Sequence, residues 1–338
     1  MTTEILPAGE KAVALAAQLL RAGQPVAIPT ETVYGLAANA LDAEAAARVF
    51  EAKGRPKDNP MIVHIDMLDR LPQVVSAFPR EAQLLADAFW PGPLTLVLPK
   101  AAGIPDAVSA GLATVGVRLP AHRATRAVIA AAGLPLAAPS ANRSGRPSPT
   151  SARHVWHDMA GRIPLILDGG DCPVGVESTV VSLAGGPTVL RPGFVTAEEI
   201  AAVLDRPVAT ADGAHYAHTQ APPSPGMKYR HYAPEAELLL LDGTLEQFIH
   251  YLQENAAEKP GACALCFAGE EARLPLPALA YGQAGEAASQ AAGLYAALRR
   301  LDAEGAKYIY ARMPAGGGVG QAVRNRLLRA ADFNVISL

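Results

Sequence analysis

Residues 11–36, KAVALAAQLLRAGQPVAIPTETVYGL, decide the fold class. Ala12, Val13, Leu15, Ala16, Leu19 and Leu20 recur at helical spacing, and Gly23 supplies the stop. Val26, Ala27 and Ile28 then read as a short apolar strand. Pro29-Thr30-Glu31-Thr32-Val33-Tyr34-Gly35-Leu36 follows at once, which gathers hydroxyls, a carboxylate and a phenol at a strand's carboxyl end. Ligands of open α/β sheets bind at that end. A polar turn without function has the same composition, so this segment alone leaves both readings open.

The alternation of helix and strand continues on the C-terminal side. Asp42 stands where it caps a helix over residues 43–52. Strand-like runs at 62–65, 94–98, 115–119, 134–138, 165–167 and 179–183 alternate with helical segments near 81–89, 123–132 and 152–159. Thr196 with Glu199 forms a capping-box signature for a helix over 197–204. These elements predict a mixed α/β domain over residues 1–206.

The pattern then breaks into Ala, Thr, Gly, His and Pro, with Pro222, Pro223 and Pro225 close together, and residues 207–235 read as an interdomain linker. Its end, SPGMKYRHYAP at 224–234, offers Lys228, Arg230, His231 and Tyr232 to phosphates and bases. Loops of this length are functional or disordered, and the reading is a lid folding across a catalytic cleft. Strands at 238–241, 263–267 and 308–310 alternate with helices at 245–255, 287–303 and 321–330, which predicts a smaller Rossmann-like α/β domain over 236–338. The glycines from Gly316 to Gly320 do not match G-x-G-x-x-G and read as a structural loop.

Bulk properties bound the function. The chain has 338 residues, half of them apolar, enough for two cores. Lys and Arg total 29 against 32 Asp and Glu, a formal charge of -3, which excludes the global basic excess of a protein that coats nucleic acid. The first ten residues show no charged start followed by an apolar core, and no run approaches the roughly 18 apolar residues that span a bilayer. A cytoplasmic protein without membrane contact is expected. Three cysteines, Cys172, Cys263 and Cys266, argue against a disulfide framework. Cys263-x-x-Cys266 reads as two small residues on opposite faces of a core strand rather than as a redox or zinc pair, since no second ligand pair completes a zinc site.

Two further segments carry chemistry. KGRPKDNP at 53–60 places Lys53, Arg55 and Lys57 at a helix end, ahead of a strand containing His64. Cations there complement the helix dipole. A compact Lys and a planar Arg also suit a triphosphate, whose charge must be neutralised before a nucleophile approaches. PSANRSGRPSPT at 139–150 supplies small donors and two Arg residues, suited to phosphate oxygens and equally to ordinary turns. Thr114 and Arg118 lie across the apolar run at 115–119, Ser178 opens the run at 179–183, and Arg191-Pro192-Gly193 closes the last strand. An Arg on a strand is also a common rim residue.

Taken together, PTETVYGL at 29–36, KGRPKDNP at 53–60 with His64 following, WPGPLTLVL at 90–98, VRLPAH at 117–122, APSANRSGRPSPT at 138–150, GVESTVV at 175–181 and LRPG at 190–193 resemble, in order and spacing, the YrdC family. SPGMKYRHYAP and the domain after it resemble the longer, Sua-type members. The resemblance implies a twisted α/β catalytic domain with a concave, positively charged cleft. It implies an L-threonylcarbamoyladenylate synthase: threonine takes up bicarbonate, and the resulting carboxylate attacks the α-phosphorus of ATP and releases pyrophosphate. By the same matching, Lys53, Arg55, Ser140 and Asn142 are catalytic. Thr30, Thr32, His64, Arg118, Ala138 and Ser178 hold threonine, with Arg118 as the bidentate partner of its carboxylate. Lys53, Lys57, Thr114, Ser140, Arg146, Ser148, Arg191 and Tyr232 surround ATP.

Magnesium is expected to arrive with ATP, with no metal site of the protein's own, because the motifs hold no carboxylate cage. The product is expected to pass to a tRNA threonylcarbamoyl transferase for t6A formation, and contact with RNA is a further expectation. Two rivals stand beside this reading. One is a carbamoyl-transferring relative of hydrogenase maturation, whose zinc-finger and acylphosphatase-like segments are not apparent in this sequence. The other is a nucleic-acid-binding YrdC-like module without synthase activity. No Ser-His-Asp constellation is apparent and the cysteines fall outside every motif, so catalysis by positioning and electrostatics is expected rather than a covalent intermediate.

Overall fold

The computed structural model describes residues 1–211, Pro222 and residues 231–338. Two compact units divide them. The first takes Met1–Ser144, Pro149–Pro173 and the described residues from Glu177 to Pro222, and the second takes Gly145–Ser148, Val174–Val176 and the described residues from His231 to Leu338. Two short segments thus group with the second unit although they lie, along the chain, inside the first. Of the lid segment expected from the sequence, Lys228 and Arg230 lie outside the described residues.

In the first unit, β1 (Glu4–Pro7), β2 (Val26–Ile28), β3 (Gly35–Asn39), β4 (Ile62–His64), β5 (Leu94–Pro99), β6 (Thr114–Arg118), β7 (Leu136–Ala137), β8 (Leu165–Asp168), β9 (Thr179–Ser182), β10 (Thr188–Arg191) and β11 (Ala209–Thr210) form one sheet. Its order is β1-β8-β2-β3-β7-β4-β6-β5-β9-β10-β11. The sheet is mixed: β2 runs parallel to β8 but antiparallel to β3, and β4 parallel to β6 but antiparallel to β7. Both its faces are covered, as the period of two along a strand shows. Val26 and Ile28 join a core with Ala12, Ala16 and Leu20 of the helix Glu10–Arg21 and with Val128 and Ile129 of the helix Arg123–Ala132. Ala27, between them, belongs instead to the core that holds Val49 and Phe50 of the helix Ala43–Lys53.

Local signals place the helices. Asp42 caps Ala43–Lys53, its side chain accepting from the backbone amides of Glu44 and Ala45. Thr196 and Glu199 form both halves of the expected capping box on Ala197–Leu204. Gly23, at φ +71°, ends the first helix in the left-handed region open to glycine.

The second unit is an all-parallel sheet of β12 (Glu237–Asp242), β13 (Ala262–Cys266), β14 (Ala278–Ala280), β15 (Tyr308–Arg312) and β16 (Val335–Ser337), in the order β14-β13-β15-β12-β16. Helices Leu245–Asn255, Ala287–Ala303 and Gly318–Ala330 alternate with the strands, which agrees with the Rossmann-like pattern read from the sequence. Cys266 is buried on β13, where burial pushes its thiol up to about 12, and Cys263 is half-buried. Among the described residues, no three His, Cys, Asp or Glu side chains converge as a metal group, and no helix is long and apolar enough to cross a membrane.

Candidate active site

The segment after β2 and the segment after β7 meet in the first unit. Leu36 N donates to Pro139 O at 2.7 Å, Ala141 N to Tyr34 O at 2.8 Å and Tyr34 N to Pro149 O at 2.9 Å. Gly35 permits this approach, since a Cβ on it would stand 3.2 Å from the Cβ of Ala138. Thr30 Oγ1 donates to Val33 O at 2.6 Å, lies 2.8 Å from Thr32 Oγ1 and accepts the amide of Thr32, which fixes both hydroxyls.

Lys53 ends its helix and Gly54 caps it in the left-handed region at φ 62°, so the glycine of the KGR sequence is accounted for by capping. Lys53 is almost fully buried, and its Nζ donates to the carbonyls of Ser140 and, at 2.5 Å, Asn142. The two side chains of that turn also touch: Ser140 Oγ donates to Asn142 Oδ1 at 2.5 Å. Arg55, buried too, donates through Nη2 to Pro60 O at 3.1 Å and Asn59 O at 3.4 Å, while Lys57 is exposed.

Arg118 closes β6 directly beside His64 of β4. Its Nε donates to Gly92 O and its Nη1 to Thr32 Oγ1, each at 3.0 Å, and its Nη2 lies 2.6 Å from Glu31 Oε1. Burial pushes the Glu31 carboxyl up, but the Arg118 charge and the backbone amides of Glu31 and Ala121 outweigh it and hold it below the usual carboxylate range. Burial and, second, Arg118 depress His64 to about 3, so this imidazole is neutral at physiological pH. Ser178 Oγ lies 2.8 Å from Thr95 Oγ1, and Arg191 holds the Ser178 carbonyl through Nε and Nη2. Gly193 is dictated by the same packing: a Cβ there would fall 2.3 Å from Thr179 N.

Thirteen of the sixteen residues expected at the site thus belong to the first unit: Thr30, Thr32, Lys53, Arg55, Lys57, His64, Thr114, Arg118, Ala138, Ser140, Asn142, Ser178 and Arg191. Thr114 opens β6 and is half-buried, and Ala138 is buried after β7. Arg146, Ser148 and Tyr232 belong to the second unit. There Arg146 Nη2 meets Glu235 Oε1 at 2.5 Å, Ser148 is fully buried and Ala233 N donates to Gly145 O at 2.8 Å. Tyr232 sits at φ 66°, 5.5 Å ring to ring from Tyr295 and 5.5 Å from the Arg326 guanidinium. Sequence reading singled out Arg118 but not the charge set against it; Glu31, between two expected threonine ligands, was the available signal.

Comparison with known proteins decides the family. The Sua5, YciO and YrdC family, described as telomere recombination, matches residues 18–193, and the threonylcarbamoyl-AMP synthase C-terminal domain matches residues 195–332. The chain belongs to this family, in its long two-domain form. It is 44% identical to the threonylcarbamoyl-AMP synthase of Bacillus subtilis, over 99% of this chain and 97% of that protein. With the Pyrococcus abyssi threonylcarbamoyl-AMP synthase it shares 43% identity over 96% of this chain and 95% of the other. The crystal structure of P. abyssi Sua5 complexed with L-threonine superposes with a TM-score of 0.92 at 40% identity, covering 100% of this chain and 99% of that one. Thr30, Lys53, His64, Arg118 and Ser178 all fall within the matched residues 18–193 and in the first unit.

Proposed function

We propose that the chain is an L-threonylcarbamoyl-AMP synthase, condensing L-threonine, bicarbonate and ATP with release of pyrophosphate. The observation that carries this reading is the set of buried cations in the first unit, Lys53, Arg55, Arg118 and Arg191, each oriented by main-chain carbonyls at strand or helix ends. Full-length relatives named threonylcarbamoyl-AMP synthase support it.

In the reaction, the neutral threonine amine attacks the carbon of bicarbonate, whose C–O bond breaks so that one oxygen leaves as water with a proton from the amine; the N-carboxylate so formed attacks the α-phosphorus of ATP while pyrophosphate leaves. Lys53 and Arg55 stabilise the phosphate charge as it shifts toward the leaving group, with Lys57 and Arg191 as further phosphate partners. Ser140 and Asn142, held against each other, orient the nucleotide and the reacting carboxylate. Arg118 takes the threonine carboxylate, and Thr30, Thr32, the neutral His64, Ala138 and Ser178 surround the amino acid. Thr114, Arg146, Ser148 and Tyr232 complete the ATP contacts. Mg2+ comes as part of the nucleotide complex, held mainly by phosphate oxygens. The labile product passes to a tRNA-modifying transferase in the cytoplasm, for t6A formation.

Pyrophosphate release that requires threonine and bicarbonate, with the product identified by mass spectrometry, tests the proposal. Tight RNA binding without threonine-dependent turnover would favour the binding-module reading instead.

A further inference from the structure

Thr95 of β5 carries a buried hydroxyl that the reaction as described does not use. Leu94, Leu96 and Leu98 of the same strand join the larger core of the first unit, so the period of two turns Thr95 to the opposite face with Val97. The register that pairs Leu96 with Val117 sets it beside Arg118 of β6. Its methyl lies against Gly116, where a Cβ would stand 3.1 Å from Thr95 Cγ2. With the methyl so placed, the stiff β-branched side chain holds its hydroxyl 2.8 Å from Ser178 Oγ, just before β9 opens.

Two hydroxyls that share one hydrogen bond carry two hydrogens, and only one of these lies in the bond. Among the described residues neither hydroxyl has an acceptor other than its neighbour, and both residues are out of water, at 0% exposure for Thr95 and 1% for Ser178. Arg191 decides which hydrogen stays free. Its Nη2 donates to Ser178 Oγ at 3.3 Å as well as to the Ser178 carbonyl at 3.0 Å, and so favours Ser178 as the acceptor. Were Ser178 to donate to Thr95, the spare hydrogen would be stranded on β5, between β6 and β9, as an unmade bond inside the sheet. With Thr95 donating, the spare hydrogen sits on Ser178 instead, in the segment that the synthase reading sets against threonine.

From this we infer that Thr95 is a positioning residue of the reaction: with Arg191 it makes Ser178 Oγ accept twice, which directs the Ser178 hydrogen to an oxygen of the amino-acid substrate. The inference rests on the synthase reading and deepens it with a residue from WPGPLTLVL, a segment to which the sequence gave no site residue. A hydroxyl that accepts two hydrogen bonds is also the stronger donor, because bonds in a chain polarise one another. Threonine affinity thus depends on a hydroxyl that does not touch threonine.

Titration calorimetry on the full chain, with L-threonine and separately with ATP, tests this in a cycle of Thr95→Val, Ser178→Ala and the two together. Thr95→Val keeps the shape of the side chain and removes its hydroxyl, so threonine affinity should fall about 3- to 10-fold, the range for one hydrogen bond, with ATP affinity unchanged. In the Ser178→Ala background the same substitution should have no further effect, since Thr95 acts only through Ser178. Thr95→Ser, which keeps the hydroxyl and lacks only the methyl, should bind threonine like the wild type. Thermal unfolding reports whether each variant folds, and Thr95→Ala replaces Thr95→Val, with the same expectation, if that variant does not. Wild-type threonine affinity in Thr95→Val, the same loss again in the Ser178→Ala background, no recovery in Thr95→Ser, or equal losses for threonine and ATP would overturn the inference and leave Thr95 as a packing residue of β5. A wild type that binds no threonine would instead remove the synthase reading, and the inference with it.

Discussion

Cations at the strand and helix ends of the two units are held in different ways. In the first unit Lys53, Arg55 and Arg191 donate to main-chain carbonyls of Ser140, Asn142, Asn59, Pro60 and Ser178. In the second, Arg312 pairs with Glu270 and Arg324 with Asp242 at 2.7 Å. A carbonyl orients a cation, and a carboxylate also offsets its formal charge. The carboxylate pairs of the second unit tie Arg312 and Arg324 to neighbouring segments. Arg118, paired with Glu31, shows the second pattern in the first unit, as does Lys100 with Asp106 just after β5, and the resemblance puts Arg118 at the amino acid.

Exchanging cations for neutral side chains should break that contrast most sharply. Lys53→Ala is expected to lower kcat about 100- to 1000-fold, as for loss of one preorganised charge at the transition state. It should also lower stability by about 1–3 kcal/mol, because the carbonyls of Ser140 and Asn142 lose a buried donor. That second effect was not legible in the sequence, where Lys53 reads as a helix-end cation or a phosphate partner and its carbonyl partners lie far along the chain. Glu270→Gln should do the converse, costing about 3 kcal/mol of stability by leaving Arg312 unpaired, with kcat unchanged. Steady-state pyrophosphate release and denaturant unfolding on both variants separate the two roles, and near-wild-type turnover by Lys53→Ala would end the distinction.

The buried His64 sharpens the comparison through pH. Its pKa falls from the ordinary 6.5 to about 3 on folding, so the unfolded chain binds the extra proton between these values. Stability is then complete above about pH 6.5 and declines as the pH falls toward 3, with a loss of about 2 kcal/mol by pH 5. The depressed Glu31 acts in the same sense lower down: its contribution is present above the ordinary carboxylate pKa and is lost as the pH falls through the folded value. Unfolding curves at about pH 7.5 and 5 should show this loss in the wild type and not in His64→Gln. A smaller effect is expected from Arg118→Lys, which keeps the charge but loses the fork that reaches Gly92 O and Thr32 Oγ1. Threonine affinity should fall about tenfold and ATP affinity less; equal losses would assign Arg118 to the nucleotide or the scaffold.

Much of the fold was legible because its signals are local. The caps at Asp42 and Thr196 and the apolar runs of β2, β4, β5, β6 and β8 can each be recognised within a few residues. Strands β1, β14 and β16 escaped because they are sheet edges of three or four residues, where one neighbour defines the strand more than its own pattern does. At the site, residue types were legible and partners were not. Lys53 reaches Ser140 across 87 positions and Arg118 reaches Thr32 across 86, pairings that only the sheet order creates. For the same reason no local pattern groups Gly145–Ser148 with the second unit, where Ala233 N and Arg299 donate to Gly145 O and Pro147 O.

The smallest expected effect lies at Tyr232, which the sequence reading places in the lid segment. It is 5% exposed, and its ring contacts Tyr295 and the fully buried Arg326 within the second unit. A bulky residue at φ 66° carries strain on the order of 1 kcal/mol or more, which persists only where the surroundings over-determine it. The ring packing is that determinant, so Tyr232→Phe should fold and turn over like the wild type. Tyr232→Ala removes the ring contacts that hold the left-handed backbone, which should let this stretch relax. If Tyr232 also closes over the adenylate, as the synthase reading proposes, product yield in the Ala variant should drop severalfold and free threonine and AMP should accumulate in its place. Full yield from Tyr232→Ala, alongside a lowered unfolding temperature, would make Tyr232 a core residue of the second unit and nothing more.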